Sequence, residues 1–154
     1  MLSVFWDIKG ILYFEFLEDN ETIDSLSYSQ QLIKLNKKLF EERPALYNRK
    51  KIYLLHDNTK PHVSETTSET IRDLGFEVLP HPPSSSDLAP TDYYLFRHLQ
   101  FSLRDKEFKN SDDVKNHVFE FFNSKSSSFF EKGIKKLPIR WQKCIDSEGN
   151  YFDF

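Results

Sequence analysis

Asp57 and Asp92 are the residues of this chain whose type and setting could do chemistry. Asp57 ends an apolar run in YLLHDNTKPH, Asp92 follows a proline-rich loop in PPSSSDLAPTDYYLF, and 34 residues lie between them. Two carboxylates delivered from different elements are what a hard divalent cation needs. Mg2+ takes oxygen ligands, usually only one or two of them carboxylates, and leaves its other positions to water and substrate phosphates. A pair of such ions about 4 Å apart can activate an attacking water and stabilise the leaving oxygen in phosphodiester cleavage. The same residues also read as local caps, Asp57 of the turn after its strand and Asp92 of the first turn of its helix. His56, His62 and His81 flank the acids; imidazole suits softer metals than Mg2+, so they are read as hydrogen-bonding or packing residues. The sequence holds no glycine-rich phosphate cradle and no Gly-x-Ser-x-Gly elbow.

The elements that must position these acids are legible from periodicity. LSVFW and GILYFEFL, joined by DIKG with Asp7 and Gly10 as turn residues, predict a β-hairpin. YSQQLIKLNKKLFEER places Leu32, Leu35 and Leu39, with Ile33 and Phe40, at helical spacing, and Pro44 ends the pattern. KIYLLHD predicts a buried strand over Lys51 to Leu55, SETTSETIRDLG a helix closed by Gly75, and FEVLPH another strand. That order implies α/β crossovers. Pro82, Pro83 and Pro90 with three serines mark a loop, after which Thr91 is expected to cap DYYLFRHLQFSL with Asp92 in the first turn. SDDVKNHVFEFFNSK, capped by Ser111, aligns Val114, Val118, Phe121 and Phe122, and a last helix SSFFEKGIKKLPIRWQKCI is expected to be interrupted near Gly133 and Pro138.

Composition bounds the rest. The 154 residues, 38% apolar and 29% charged, suit one globular domain, and fifteen Phe promise a core rich in rings. The single cysteine, Cys144, excludes an internal disulfide or a cysteine-based zinc site. No apolar run approaches the roughly 20 residues of a membrane span, and nothing resembles a signal peptide, so an intracellular location is expected. The net charge of −3 is unevenly spread: seven basic residues (Lys34, Lys37, Lys38, Arg43, Arg49, Lys50 and Lys51) face two acidic ones between Lys34 and Lys51, whereas Asp7 to Asp24 is acidic. Such asymmetry either orients a chain on a polyanion or is an ordinary solvated helix face.

HDNTKPH, EVLPHPPSSSDLAPTDYYLF and GIKKLPIRWQKCI followed by GNYF, together with LSVFWDIKGILYFEFL, resemble the catalytic domain of mariner-type transposases of the Tc1/mariner superfamily. A similar segment forms the transposase half of a histone methyltransferase–transposase fusion. The resemblance covers nearly the whole chain. It implies a ribonuclease H-like α/β fold: a mixed five-stranded sheet with flanking helices, whose three catalytic acids bind two Mg2+ or Mn2+ ions and cut and join DNA. Asp57 and Asp92 match the second and third acids in type, setting and spacing, and Asn58, His62, Pro90 and Tyr93 match supporting positions. Asp87 matches a loop position, Ser85 stands where an aromatic is common, and Asp7 falls in the hairpin turn rather than at a catalytic position.

The family's first acid, on a Gly-Asp-Glu strand ahead of the hairpin, has no counterpart in these residues, and neither do its paired helix-turn-helix modules. The resemblance therefore implies a domain truncated at its N-terminus and lacking its central first strand. Activity is then expected to be impaired or lost, a nuclear location to be ancestral, and pairing with a second copy to proceed through exposed strand edges. The alternative is a non-catalytic, domesticated or relic domain that binds nucleic acid or a partner protein through Lys34 to Lys51.

Overall fold

The computed structural model describes residues 1–49 and 51–150; Lys50 and the GNYF residues Tyr151 and Phe152 lie outside the described residues. The chain divides into two compact units, the first holding Met1–Phe5 and Leu12–Ser85, the second Trp6–Ile11 and the residues from Ser86 onward.

Strand β1 (Leu2–Asp7) pairs with β2 (Gly10–Phe16), a hairpin whose residues are divided between the two units. Asp7 Oδ1 accepts from the backbone N–H groups of Lys9 and Gly10 at 2.9 and 3.2 Å, and Gly10, at φ 137°, adopts a backbone that side-chain-bearing residues avoid. This is the hairpin that DIKG predicts. Helix α1 (Ser25–Glu42) starts at a capping box, in which Asp24 and Ser27 each bond the other's backbone N–H. A short α2 (Pro44–Asn48) follows, with Pro44 at its start, where a missing N–H costs nothing. Leu32, Leu35 and Leu39 bury one stripe of α1 against Leu12, Leu54, Ile71 and Phe76. Ile33 and Phe40, expected on that face, are instead 53% and 62% exposed, because they fall outside the stripe the three leucines define.

Strand β3 (Ile52–Leu54) lies parallel to β4 (Phe76–Val78), with Ile52 opposite Phe76 and Leu54 opposite Val78. The crossover between them carries α3 (Lys60–Val63) and α4 (Glu65–Leu74), as parallel strands require. Ser64 caps α4 by accepting from Thr67 N–H, and Gly75 ends it in the left-handed conformation at φ 75°. Both strands are shorter than predicted. The four strands among the described residues form two pairs, not one five-stranded sheet.

In the second unit a 3-10 turn (Ser86–Leu88) leads into a π-helical stretch (Thr91–Phe96), α5 (Arg97–Leu103), α6 (Ser111–Ser124) and α7 (Ser127–Asp146). Three expectations are corrected here. Thr91 is the first residue of the π stretch, after Pro90, and not a cap. Asn110, not Ser111, caps α6, its side chain accepting from Asp113 N–H at 2.9 Å. Helix α7 runs unbroken through Gly133 and Pro138. Pro138 leaves the carbonyl four residues back without its helical partner, at about 3 kcal/mol. Burial of Phe130, Leu137 and Arg140 on either side offsets that cost while the proline faces solvent.

Candidate active site

The first candidate acid grows from the end of β3. Pairing continues one step beyond the strand, Leu79 N–H donating to the Leu54 carbonyl at 2.9 Å, and the chain then turns at Asp57. Asp57 Oδ1 accepts from Thr59 N–H at 3.1 Å and lies 2.7 Å from His62 Nδ1. Burial pushes this carboxyl up, but the hydrogen bonds from Thr59 and the charge and hydrogen bond of His62 outweigh it and hold it below the usual carboxylate range. The ionised acid can only accept, so His62 Nδ1 carries the proton. Asp57 therefore is the turn residue that one reading of the sequence foresaw. The Asp57 side chain is 51% exposed.

Two rings support His62. Its imidazole stacks on His56 at 5.0 Å with 3° between the planes, and packs on Tyr28 at 4.1 Å. The Tyr28 hydroxyl lies 2.8 Å from His56 Nδ1. Burial, helped by the charge of His62, lowers His56 to about 4, so its imidazole is neutral near pH 7, and burial raises Tyr28. Asn58 turns away from the acid and donates its side-chain N–H to the His81 carbonyl at 2.7 Å, tying the loop after β3 to the one after β4.

Asp92 belongs to the second unit. It is exposed in the first turn of the π stretch, after the buried Pro90 and before the buried Tyr93, Tyr94 and Leu95. The Tyr93 hydroxyl donates to the Gly133 carbonyl at 2.6 Å, and the Arg140 guanidinium stacks on its ring at 3.9 Å. Arg140 also donates to the Asp87 carbonyl at 3.0 Å, and Thr91 Oγ1 accepts from Trp6 Nε1–H at 2.9 Å. Sequence reasoning passed over Tyr28, Trp6 and Arg140. The only available signals were a tryptophan beside the hairpin turn and an arginine in the otherwise apolar phase of α7.

Asp57 and Asp92 offer oxygen donors alone, the chemistry a hard cation such as Mg2+ prefers over the imidazole and thiolate sets of softer metals. Among the described residues no three His, Cys, Asp or Glu side chains gather into a metal-holding group. Either acid would take its further ligands from water and phosphate, as Mg2+ sites commonly arrange.

The basic run is partly neutralised. Lys34 pairs with Glu15 at 3.4 Å, Lys38 and Arg43 approach Glu42 at 3.5 and 4.0 Å, and Lys51 pairs with Glu77 at 3.5 Å. Lys37 and Arg49 are exposed. No described helix is long and apolar enough to cross a membrane.

The family model described as "Transposase (partial DDE domain)" matches residues 1–49. The chain is 46% identical over 153 residues to the human histone-lysine N-methyltransferase SETMAR and 41% identical over 154 residues to the Mariner Mos1 transposase of Drosophila mauritiana. It spans 22% and 45% of the lengths of those proteins. The solved Mos1 transposase catalytic domain with raltegravir and Mg superposes with a TM-score of 0.95 at 41% identity, over 99% of this chain and 76% of that one. A pre-cleavage Mos1 transpososome matches with the same TM-score at 40% identity, the chain covering 45% of it. The α/β architecture is thus that of a ribonuclease H-like transposase catalytic domain.

Proposed function

The chain belongs to the mariner-type transposases, and on that premise we propose that it carries out metal-dependent cleavage and joining of DNA strands, with Asp57 and Asp92 as metal-ligating carboxylates. Bound Mg2+ or Mn2+ would activate the attacking oxygen and stabilise the leaving one. The residues of the chain prepare for that. Thr59 and His62 hold Asp57 ionised and fix its Oδ1, so the carboxylate is held in a defined direction at no cost in deprotonation. Tyr28 and His56 keep the His62 ring in place from behind. Asn58 ties the loop that carries Asp57, Pro90 stands immediately before the π stretch that carries Asp92, and Tyr93 anchors that stretch.

The single observation that best supports this reading is the Asp57–His62 pair, which keeps a half-exposed carboxylate ionised at a strand end in a chain 41% identical to Mos1. These 154 residues supply two of the family's three acids, so we expect them alone to hold the cations more weakly and to cut more slowly than a three-carboxylate site. DNA as substrate, a nuclear location and pairing with a second copy follow from the same reading. A nicking assay on supercoiled DNA with Mn2+ tests it: the parent chain should nick slowly, and Asp57→Asn and Asp92→Asn should each abolish nicking. Nicking that survives either substitution, or that proceeds in EDTA, would refute it.

A further inference from the structure

We propose that Trp6, Thr91, Tyr93 and Arg140 form a bracket that sets the direction of the Asp92 carboxylate through the residues on either side of it; the inference rests on the reading of Asp92 as a metal ligand. The geometry is two-sided. On one side Thr91 is pinned by the Trp6 indole N–H at 2.9 Å, and the Trp6 ring packs on Phe130 at 5.8 Å. On the other, Tyr93 is pinned at its tip by the Gly133 carbonyl at 2.6 Å and on its face by the Arg140 guanidinium at 3.9 Å. Arg140 reaches back to the Asp87 carbonyl at 3.0 Å, so the middle of α7 grips the loop before Asp92 and the residue after it.

The local backbone explains why a bracket is needed. A π turn is a rare, strained way to run a helix and persists where its surroundings over-determine it, often at functional sites. Ala89 is shared as acceptor by Asp92 N–H and Tyr93 N–H, both at 2.9 Å, so backbone bonding alone does not fix the phase of the stretch. Burial raises Tyr93 to about 12, so its hydroxyl remains a donor suited to a carbonyl. Asp92 itself is exposed, and its neighbours on both sides are held by hydrogen bonds. Partners that orient a ligating group without touching the metal are typically worth about 10-fold or more in metal affinity.

The test is Mn2+ binding by the full 154-residue chain, read by water-proton relaxation, beside the Tm in EDTA. Tyr93→Phe and Thr91→Val each remove one hydrogen bond with little change of shape and should weaken Mn2+ binding about 10-fold. Arg140→Lys, which keeps the charge but loses the planar stack, should weaken it less. In the Asp92→Asn background, Tyr93→Phe should change nothing further, whereas a general loosening of the fold would weaken binding in both backgrounds. Affinity within twofold of the parent for Tyr93→Phe and Thr91→Val, with Asp92→Asn greatly weakened, would overturn the bracket alone, as would equal losses in the two backgrounds. Unchanged affinity in Asp92→Asn would overturn the ligand reading and the bracket with it.

Discussion

Gly133 and Tyr94 approach so closely that a Cβ on Gly133 would stand 2.3 Å from the Tyr94 ring. The glycine that reads as a break in α7 is therefore the notch that admits a buried tyrosine of the π stretch. Gly133→Ala should gain up to about 1 kcal/mol of helix propensity and lose more, about 1–3 kcal/mol, to overpacking. The expected result is a Tm lower by several degrees, and Gly133→Val should lose more. An unchanged or raised Tm would mean that Tyr94 moves aside freely.

His56 carries a pH dependence with a defined sign. Its folded value is lowered to about 4, first by burial and then by the charge of His62. The unfolded chain binds this proton below about 6.5 and the folded chain does not, so stability is full above that pH and falls as pH drops towards 4. Protonation would also turn Nδ1 into a donor against the Tyr28 hydroxyl, 2.8 Å away. Urea midpoints in EDTA should fall between pH 7 and pH 5, and His56→Gln should flatten that slope. An equal slope in His56→Gln would assign the effect elsewhere.

His62→Phe keeps a ring beside Tyr28 but removes the partner of Asp57. The Asp57 carboxyl, held low in the parent, should then titrate higher. Since only the ionised acid binds a cation well, the acid limb of Mn2+ binding should move to higher pH in this variant. A superimposable pH profile would show that His62 does not tune the acid.

Salt dependence separates a DNA surface from a solvated helix. Each phosphate contact contributes about −0.9 to the slope of log affinity against log salt on duplex DNA. Lys37→Glu and Arg49→Glu change exposed residues that make no ion pair among the described residues, and should lower both affinity and slope. Lys34→Ala and Lys51→Ala, whose partners are Glu15 and Glu77, should matter less. A flat salt response of the parent would exclude phosphates as the ligand of this face.

Residue types and their periodicity were enough to place the hairpin, the leucine stripe of α1, the Gly75 stop and the parallel β3–β4 crossover, because each depends on a few neighbours within one or two turns of chain. The two acids could be singled out for the same local reason: a carboxylate at a strand end and another after a proline-rich loop are visible as they stand. Periodicity could not foresee the π stretch, since Tyr93, Tyr94 and Leu95 are consecutive and no α-helical face explains burying all three. Nor could it tell that Pro138 would be carried within an unbroken helix, or that Ile33 and Phe40 would face solvent.

What the sequence determined by itself is the set of local elements and the chemical class of the groups they carry. What the tertiary structure decided is the company those groups keep: His62 at Asp57, Tyr28 and His56 behind it, Trp6 at Thr91, Gly133 and Arg140 at Tyr93. Those partners lie from 5 to 85 positions apart along the chain. Their meeting depends on how burial of apolar surface brings distant segments together, a collective outcome that no short window of residues contains.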